Sequence, residues 1–273
     1  MKNKTSNNEQ ESPNKLKKVL KAINKGINVL LFPSKIKCVI CGDDLPQKQE
    51  IEICENCTNL VPFINEKHCC QKCGEPITGQ GHYCLSCMNN KRKFDVARSV
   101  ASFEGVVQQL IHGFKFGGKP YLSLTMGNLM AQKLVELGWD FDLITPVPVS
   151  KSRLKERGYN QALLLCNQIA THFNKPVVEV LEKVKQTQDQ VGLNFKERQE
   201  NLEGSIAVCN KEEVANKAVL LVDDVFTTGA TANVCAQALF KTGAKSVLII
   251  TFAHSIVKLN TEIIDETEQK NKK

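Results

Sequence analysis

Between Cys38 and Cys87 the chain sets four C-x2-C pairs in a row, Cys38/Cys41, Cys54/Cys57, Cys70/Cys73 and Cys84/Cys87. Few features limit a fold so tightly. Nine of the twelve cysteines fall in this stretch, which has few long apolar runs and too little core of its own to fold unaided. Twelve residues separate the first two pairs and ten the last two. Such spacing lets two knuckles converge on one tetrahedral zinc, with Zn–S bonds of about 2.3 Å. Two structural zinc sites are therefore expected, one held by Cys38, Cys41, Cys54 and Cys57 and the other by Cys70, Cys73, Cys84 and Cys87. Gly42 and Gly74 each follow the second cysteine of a knuckle, where positive φ is often required. Their repetition points to a duplicated ribbon. The adjacent Cys69 is read as a bystander, although an exchange with Cys70 stays open. His68 and His82 are left out of the ligand sets, because the thiolates already complete both sites.

The N-terminus lacks an apolar core followed by a small-residue cleavage site, and no run approaches the length of a membrane span. A cytoplasmic, reducing setting is expected, in which metal ligation explains the cysteines better than disulfides. The net charge of +7 is uneven, since residues 1–35 carry eight lysines against Glu9 and Glu11. A basic leader of this kind suits an acidic partner, nucleic acid or anionic lipid. Within it Leu16, Val19, Leu20, Ile23, Ile27, Leu30 and Leu31 recur at helical spacing, predicting an amphipathic helix that ends before Pro33.

Four segments follow from this reading: 1–35, a basic tail and helix; 36–90, the double ribbon; 91–257, an α/β domain; 258–273, a charged tail. In the third, near-continuous apolar strands such as "DLITPVPV", "AVLLVDDV" and "SVLIITFAH" alternate with amphipathic helices. That pattern predicts a parallel sheet covered on both faces. "RLKERGYNQALLLCNQIATHF" reads as one helix and "VVEVL" as a further strand, while Cys166, Cys209 and Cys235 sit in apolar patterns expected in the core. His112, His172 and His254 receive no assignment.

The stretch "VLLVDDVFTTGAT" carries the chemistry. In an open parallel sheet ligands bind beyond the carboxyl ends of the strands. Thr227, Thr228, Gly229, Ala230 and Thr231 would aim amides and hydroxyls at a phosphate, aided by the helix that Gly229 opens. Asp223 and Asp224 beside a phosphate make electrostatic sense if they accept hydrogen bonds from ribose hydroxyls. Acids that bind a metal are the alternative, but they leave the hydroxyl loop without a purpose.

This stretch resembles the phosphoribosyl pyrophosphate (PRPP) signature of type I phosphoribosyltransferases. The order double zinc ribbon, "TPVPVSKSRLKERGYNQALLL", "QVGLNFKERQENLEGSIAV" and then the PRPP signature resembles the ComF/GntX family of competence-related proteins over residues ~30 to 254. The resemblance implies a type I phosphoribosyltransferase-like parallel sheet preceded by a small double zinc-ribbon module. It further implies PRPP or another phosphorylated ribose as ligand with Mg2+, and a role in natural competence with single-stranded DNA and DNA-uptake proteins as partners. Transfer from PRPP needs cations near the departing pyrophosphate. The candidates are Lys115 and Lys119 in "KFGGK", Arg157 in "RGYNQ" and Arg198 in "GLNFKERQEN".

Overall fold

The structure, a computed structural model, describes residues 36–46, 49–77, 81–184 and 204–255. The expected N-terminal helix, Arg198 and the C-terminal tail lie outside the described residues.

Two knuckle helices, α1 (Glu55–Thr58) and α2 (Leu85–Asn89), precede the sheet. The order then runs β1 (Val96–Ser102), α3 (Gly105–Phe116), α4 (Leu122–Leu137) and β2 (Leu143–Pro146). It continues with α5 (Lys151–Arg157), α6 (Gln161–Phe173), β3 (Leu181–Lys183) and β4 (Ile206–Val208). It closes with β5 (Ala218–Phe226), α7 (Ala230–Lys241) and β6 (Ser246–His254). Strands β1, β6, β5 and β2 form a four-stranded sheet in that order, and every pairing is parallel.

Because side chains alternate along a strand, the apolar run of β5 feeds two cores at once. Leu220 and Val222 join Ile250 and Phe252 of β6 beneath α3, α4 and α6. Val219 and Leu221 join Val247 and Ile249 on the opposite face, with Leu239 of α7. The cysteine module divides in the same way. Cys38, Ile53, Cys57 and Val61 enter the first core, while Cys70, Cys73 and Cys84 enter the second. The two ribbons thus cap opposite faces of one sheet. A partly buried ionic triad helps seat the chain between them: Glu66 meets Arg98 Nε at 2.6 Å and Lys133 Nζ at 2.7 Å.

Three expectations need correction. The predicted long helix is two, α5 and α6, because Gly158 turns left-handed (φ 81°) and Asn160 restarts the helix by accepting from Ala162 N at 3.0 Å. The segment "VVEVL" does not add a full strand to the main sheet. Val177 makes a single bridge to Ile144, and the chain then turns so that β3 pairs antiparallel with β4 in a separate two-stranded hood. Cys166 and Cys235 are fully buried as expected, but Cys209 is exposed, donating from Sγ to Glu179 O at 3.3 Å.

Candidate functional site

Both acids lie on β5 itself, two and three residues before the strand ends at Phe226. Asp224 is buried, whereas Asp223 is half-buried on the wall of a cavity of about 470 Å³ that opens beyond the carboxyl end of the sheet. Lys115 Nζ on α3 approaches Asp224 Oδ1 to 2.8 Å, so one acid is paired before any ligand arrives. The Asp223 carboxylate accepts from the Asp224 amide at 2.8 Å. Burial, and then the charge on Asp224, push the Asp223 carboxyl up to about 7, against the opposing pull of Lys115.

The loop from Thr227 to Thr231 connects β5 to α7. Gly229 adopts φ 77° at the N-cap, and a Cβ there would stand 2.5 Å from Phe226 Cζ and 3.1 Å from Arg92 Nη1. Only glycine fits that turn. Thr228 Oγ1 accepts from Ala230 N at 3.4 Å, leaving Thr227 and Thr231 among the residues that line the cavity. The N-terminus of α7 supplies the partial positive charge that favours an anion there.

Of the candidate cations, Lys115 and Arg157 reach the cavity. Arg157 ends α5, donates from Nη1 to Gln161 Oε1 at 3.2 Å and stacks its guanidinium 5.0 Å from the Phe116 ring. Lys119 is exposed and lies outside the lining. Tyr159 is used structurally, donating its hydroxyl to Phe114 O at 2.6 Å. Sequence reasoning missed Gln161 and Lys183, which also line the cavity. Gln161 is 4% exposed and its Nε2 has no partner among the described residues. Lys183 comes from the hood, where burial and then the neighbouring Arg153 pull its pKa down. Nothing in a period-2 pattern distinguishes a hood strand from a core strand, so the signal was absent.

The eight predicted cysteines gather into two sets of four, and within each set the sulfur atoms lie within 4.8 Å of one another. Cys41 and Cys54 sulfurs stand 3.7 Å apart, Cys73 and Cys84 sulfurs 3.6 Å. A tetrahedron with Zn–S bonds of about 2.3 Å requires sulfur separations of about 3.8 Å, so the donors fit zinc. The knuckles repeat in detail: Cys38 N donates to Asp43 O and Cys70 N to Glu75 O, each at 2.8 Å, with Gly42 at φ 81° and Gly74 at φ 74°. Cys69 stays apart, its Sγ donating to Glu66 O at 3.4 Å. Neither His68 nor His82 joins a cluster among the described residues.

Fold and site together define a double zinc ribbon joined to a phosphoribosyltransferase domain. Residues 27–88 match the double zinc ribbon domain family and residues 160–268 the phosphoribosyl transferase domain family. Competence protein F of Haemophilus influenzae is 28% identical over 221 residues, spanning 78% of this chain and 94% of that protein. DNA utilization protein YhgH of Escherichia coli K12 is 27% identical over 203 residues, spanning 72% and 88%. Competence protein ComFC of Bacillus subtilis is 25% identical over 240 residues, spanning 81% and 96%. The resemblance to the ComF/GntX family read from the sequence therefore holds. Solved structures align only loosely. Glutamine PRPP amidotransferase from B. subtilis matches at TM-score 0.34 and 18% identity, over 48% of this chain and 26% of its own. Purine phosphoribosyltransferase from Pyrococcus horikoshii matches at TM-score 0.31 and 21% identity, over 47% and 71%. The fold assignment rests on the parallel strand order and the family match. Among the described residues, no helix is long and apolar enough to cross a membrane.

Proposed function

We propose that the cavity beyond β5 binds PRPP, or a ribose 5-phosphate group presented by another molecule, and that the protein uses this site in the uptake or utilisation of single-stranded DNA. One observation carries the ligand: an acid pair, one buried and one half-buried, stands just before a glycine-pinched hydroxyl loop at a helix N-terminus. In this reading Asp223 and Asp224 accept the ribose hydroxyls. Thr227, Thr228 and Thr231, with the amides of Gly229 and Ala230, hold the 5-phosphate. Bound Mg2+ supplies charge neutralisation for the pyrophosphate. Lys115 exchanges its contact with Asp224 for the ligand's anionic oxygens, and Arg157 holds its guanidinium against Phe116 toward the same space.

The biological role is supported by the relatives, whose names assign them to competence and DNA utilisation. Zinc in both tetracysteine sets would fold the ribbons without chemistry of its own, since four thiolates leave no open position. A phosphoribosyl transfer with pyrophosphate release is a second reading, favoured by the cationic wall of Lys115, Arg153 and Arg157. Titration of PRPP with Mg2+ by calorimetry tests the ligand. Wild type binds, and the Asp223→Ala, Asp224→Ala double variant loses at least about tenfold in affinity, as expected for removing two charge-assisted hydrogen-bond acceptors. Equal affinities would sink the assignment.

A further inference from the structure

"NNKRKFD" reads from sequence as a polar connector, yet the structure buries its centre: Arg92 is 7% exposed and Phe94 1%. Arg92 donates from Nη2 to Ser86 Oγ on α2, between the last two ligands of the second cluster, at 2.8 Å. It also donates from Nη1 to the carbonyl of Thr228, in the middle of the hydroxyl loop, at 2.8 Å. Three further contacts run in parallel. Lys93 N donates to Asn233 Oδ1 on α7 at 2.6 Å. Phe94 meets Phe226 edge-on with centroids 6.0 Å apart. Phe226 in turn stacks at 5.0 Å on His254, one ring nitrogen of which lies within 4.8 Å of both Cys73 Sγ and a Glu75 carboxylate oxygen. His254 is 1% exposed and neither ring nitrogen has a hydrogen-bond partner among the described residues, so it packs against the second cluster through its ring.

The grip on Thr228 has a stereochemical consequence. In a planar trans peptide the C=O of one residue and the N–H of the next point in opposite directions. Holding the Thr228 carbonyl toward Arg92 therefore fixes the Gly229 amide pointing away from Arg92. Among the described residues the first cluster makes no hydrogen bond to this loop. Its links run to α4, where Thr125 Oγ1 accepts from Glu52 N at 3.4 Å and Asn128 Nδ2 donates to Glu50 O, on the other face of the sheet.

We infer that the second tetracysteine cluster buttresses the phosphate loop through Arg92, a positioning residue, so that metal in this cluster, unlike metal in the first, sets how well the loop holds a phosphorylated ribose. The ligand part rests on the reading under Proposed function; the buttress itself does not.

The test uses the full zinc-loaded chain, comparing wild type with Arg92→Ala and Arg92→Lys. Hydrogen–deuterium exchange over residues 226–233 is read alongside PRPP titration with Mg2+ and zinc content. Expected in Arg92→Ala are loop exchange faster by about tenfold and PRPP affinity weaker by about tenfold, with zinc retained, as for loss of a charged hydrogen bond. Arg92→Lys cannot span both acceptors with one ammonium and recovers only part of this. Unchanged loop exchange in a folded Arg92→Ala overturns the inference. If that variant does not fold, Ser86→Ala decides: it severs one end of the strut, and exchange indistinguishable from wild type overturns the inference. Staged chelation gives the final arm. Loop exchange is expected to rise with exposure of the amides of residues 70–74, and a rise that follows residues 38–42 instead overturns the inference. If wild type fails to bind PRPP, the ligand reading falls, and exchange alone still judges the strut.

Discussion

Replacing Asp223 by Asn should stabilise the protein, and by an amount that grows with pH. Burial raises the folded carboxyl from 3.8 to about 7, with Asp224 adding to the rise. A group that binds its proton more tightly when folded loses stability as pH climbs from the unfolded toward the folded value, and the loss is complete above the latter. At about 1.4 kcal/mol per unit, the full span has a ceiling of about 4 kcal/mol, lowered by the water that enters the cavity mouth. Between about pH 5.5 and about pH 8, roughly half of the span, wild type should lose about 2 kcal/mol relative to Asp223→Asn. The variant keeps an oxygen to accept from the Asp224 amide, so that hydrogen bond survives. Urea denaturation of both proteins at matched zinc, repeated across that range, measures the difference directly. A constant difference, or one that shrinks with rising pH, would refute an ionisation penalty at this position. The same group predicts proton release on ligand binding, because hydroxyl donors favour the charged carboxylate. Calorimetry near pH 7 in two buffers of different ionisation enthalpy should find about half a proton released per PRPP.

Gly229→Ala places a methyl 2.5 Å from Phe226 Cζ at φ 77°, so it should cost about 1–3 kcal/mol of unfolding free energy by urea denaturation and abolish PRPP binding; unaltered binding would show the loop to be open at this point. Metal analysis of the purified chain should find about two zincs, and a value near one would mean that the two sets are not equivalent. Single-stranded DNA binding should fall steeply with salt and weaken when residues 1–35 are deleted, as filter binding at several ionic strengths would measure; salt-independent binding would exclude the basic leader as the contact.

Features whose residues are close in sequence were legible before the structure. Both tetracysteine sets follow from spacing alone, and the loop after β5 follows from one short stretch in which strand, acids, hydroxyls and glycine occur in order. The break between α5 and α6 was legible in principle. Ser150 caps one helix by accepting from Arg153 N at 3.3 Å, and Asn160 caps the next, but a continuous apolar period masked the glycine between them. What stayed hidden depends on long-range pairing. Arg92 and Thr228 are 136 residues apart, and no local pattern announces that a lysine-rich connector will be buried between a knuckle and a loop. Lys183 was missed for a related reason, since strand propensity does not say which sheet a strand will join.

The strand order has a consequence for how the chain is made. β6, the last described strand, lies between β1 and β5, so β1 pairs with nothing in the main sheet until Val247 and its neighbours arrive. Asp95 illustrates the wait: its amide donates to Val247 O, and its carboxylate accepts from Val247 N, across 152 residues of intervening chain. Metal can close the knuckles while synthesis is still under way, but the apolar side of the second ribbon, which packs with Leu239, Val247 and Ile249, remains uncovered until nearly the whole sequence has emerged. Non-local pairing of this kind is slow to form. A growing chain that has captured its zinc is consequently a sticky half-product, and truncation within β6 would leave the N-terminal half without its cover.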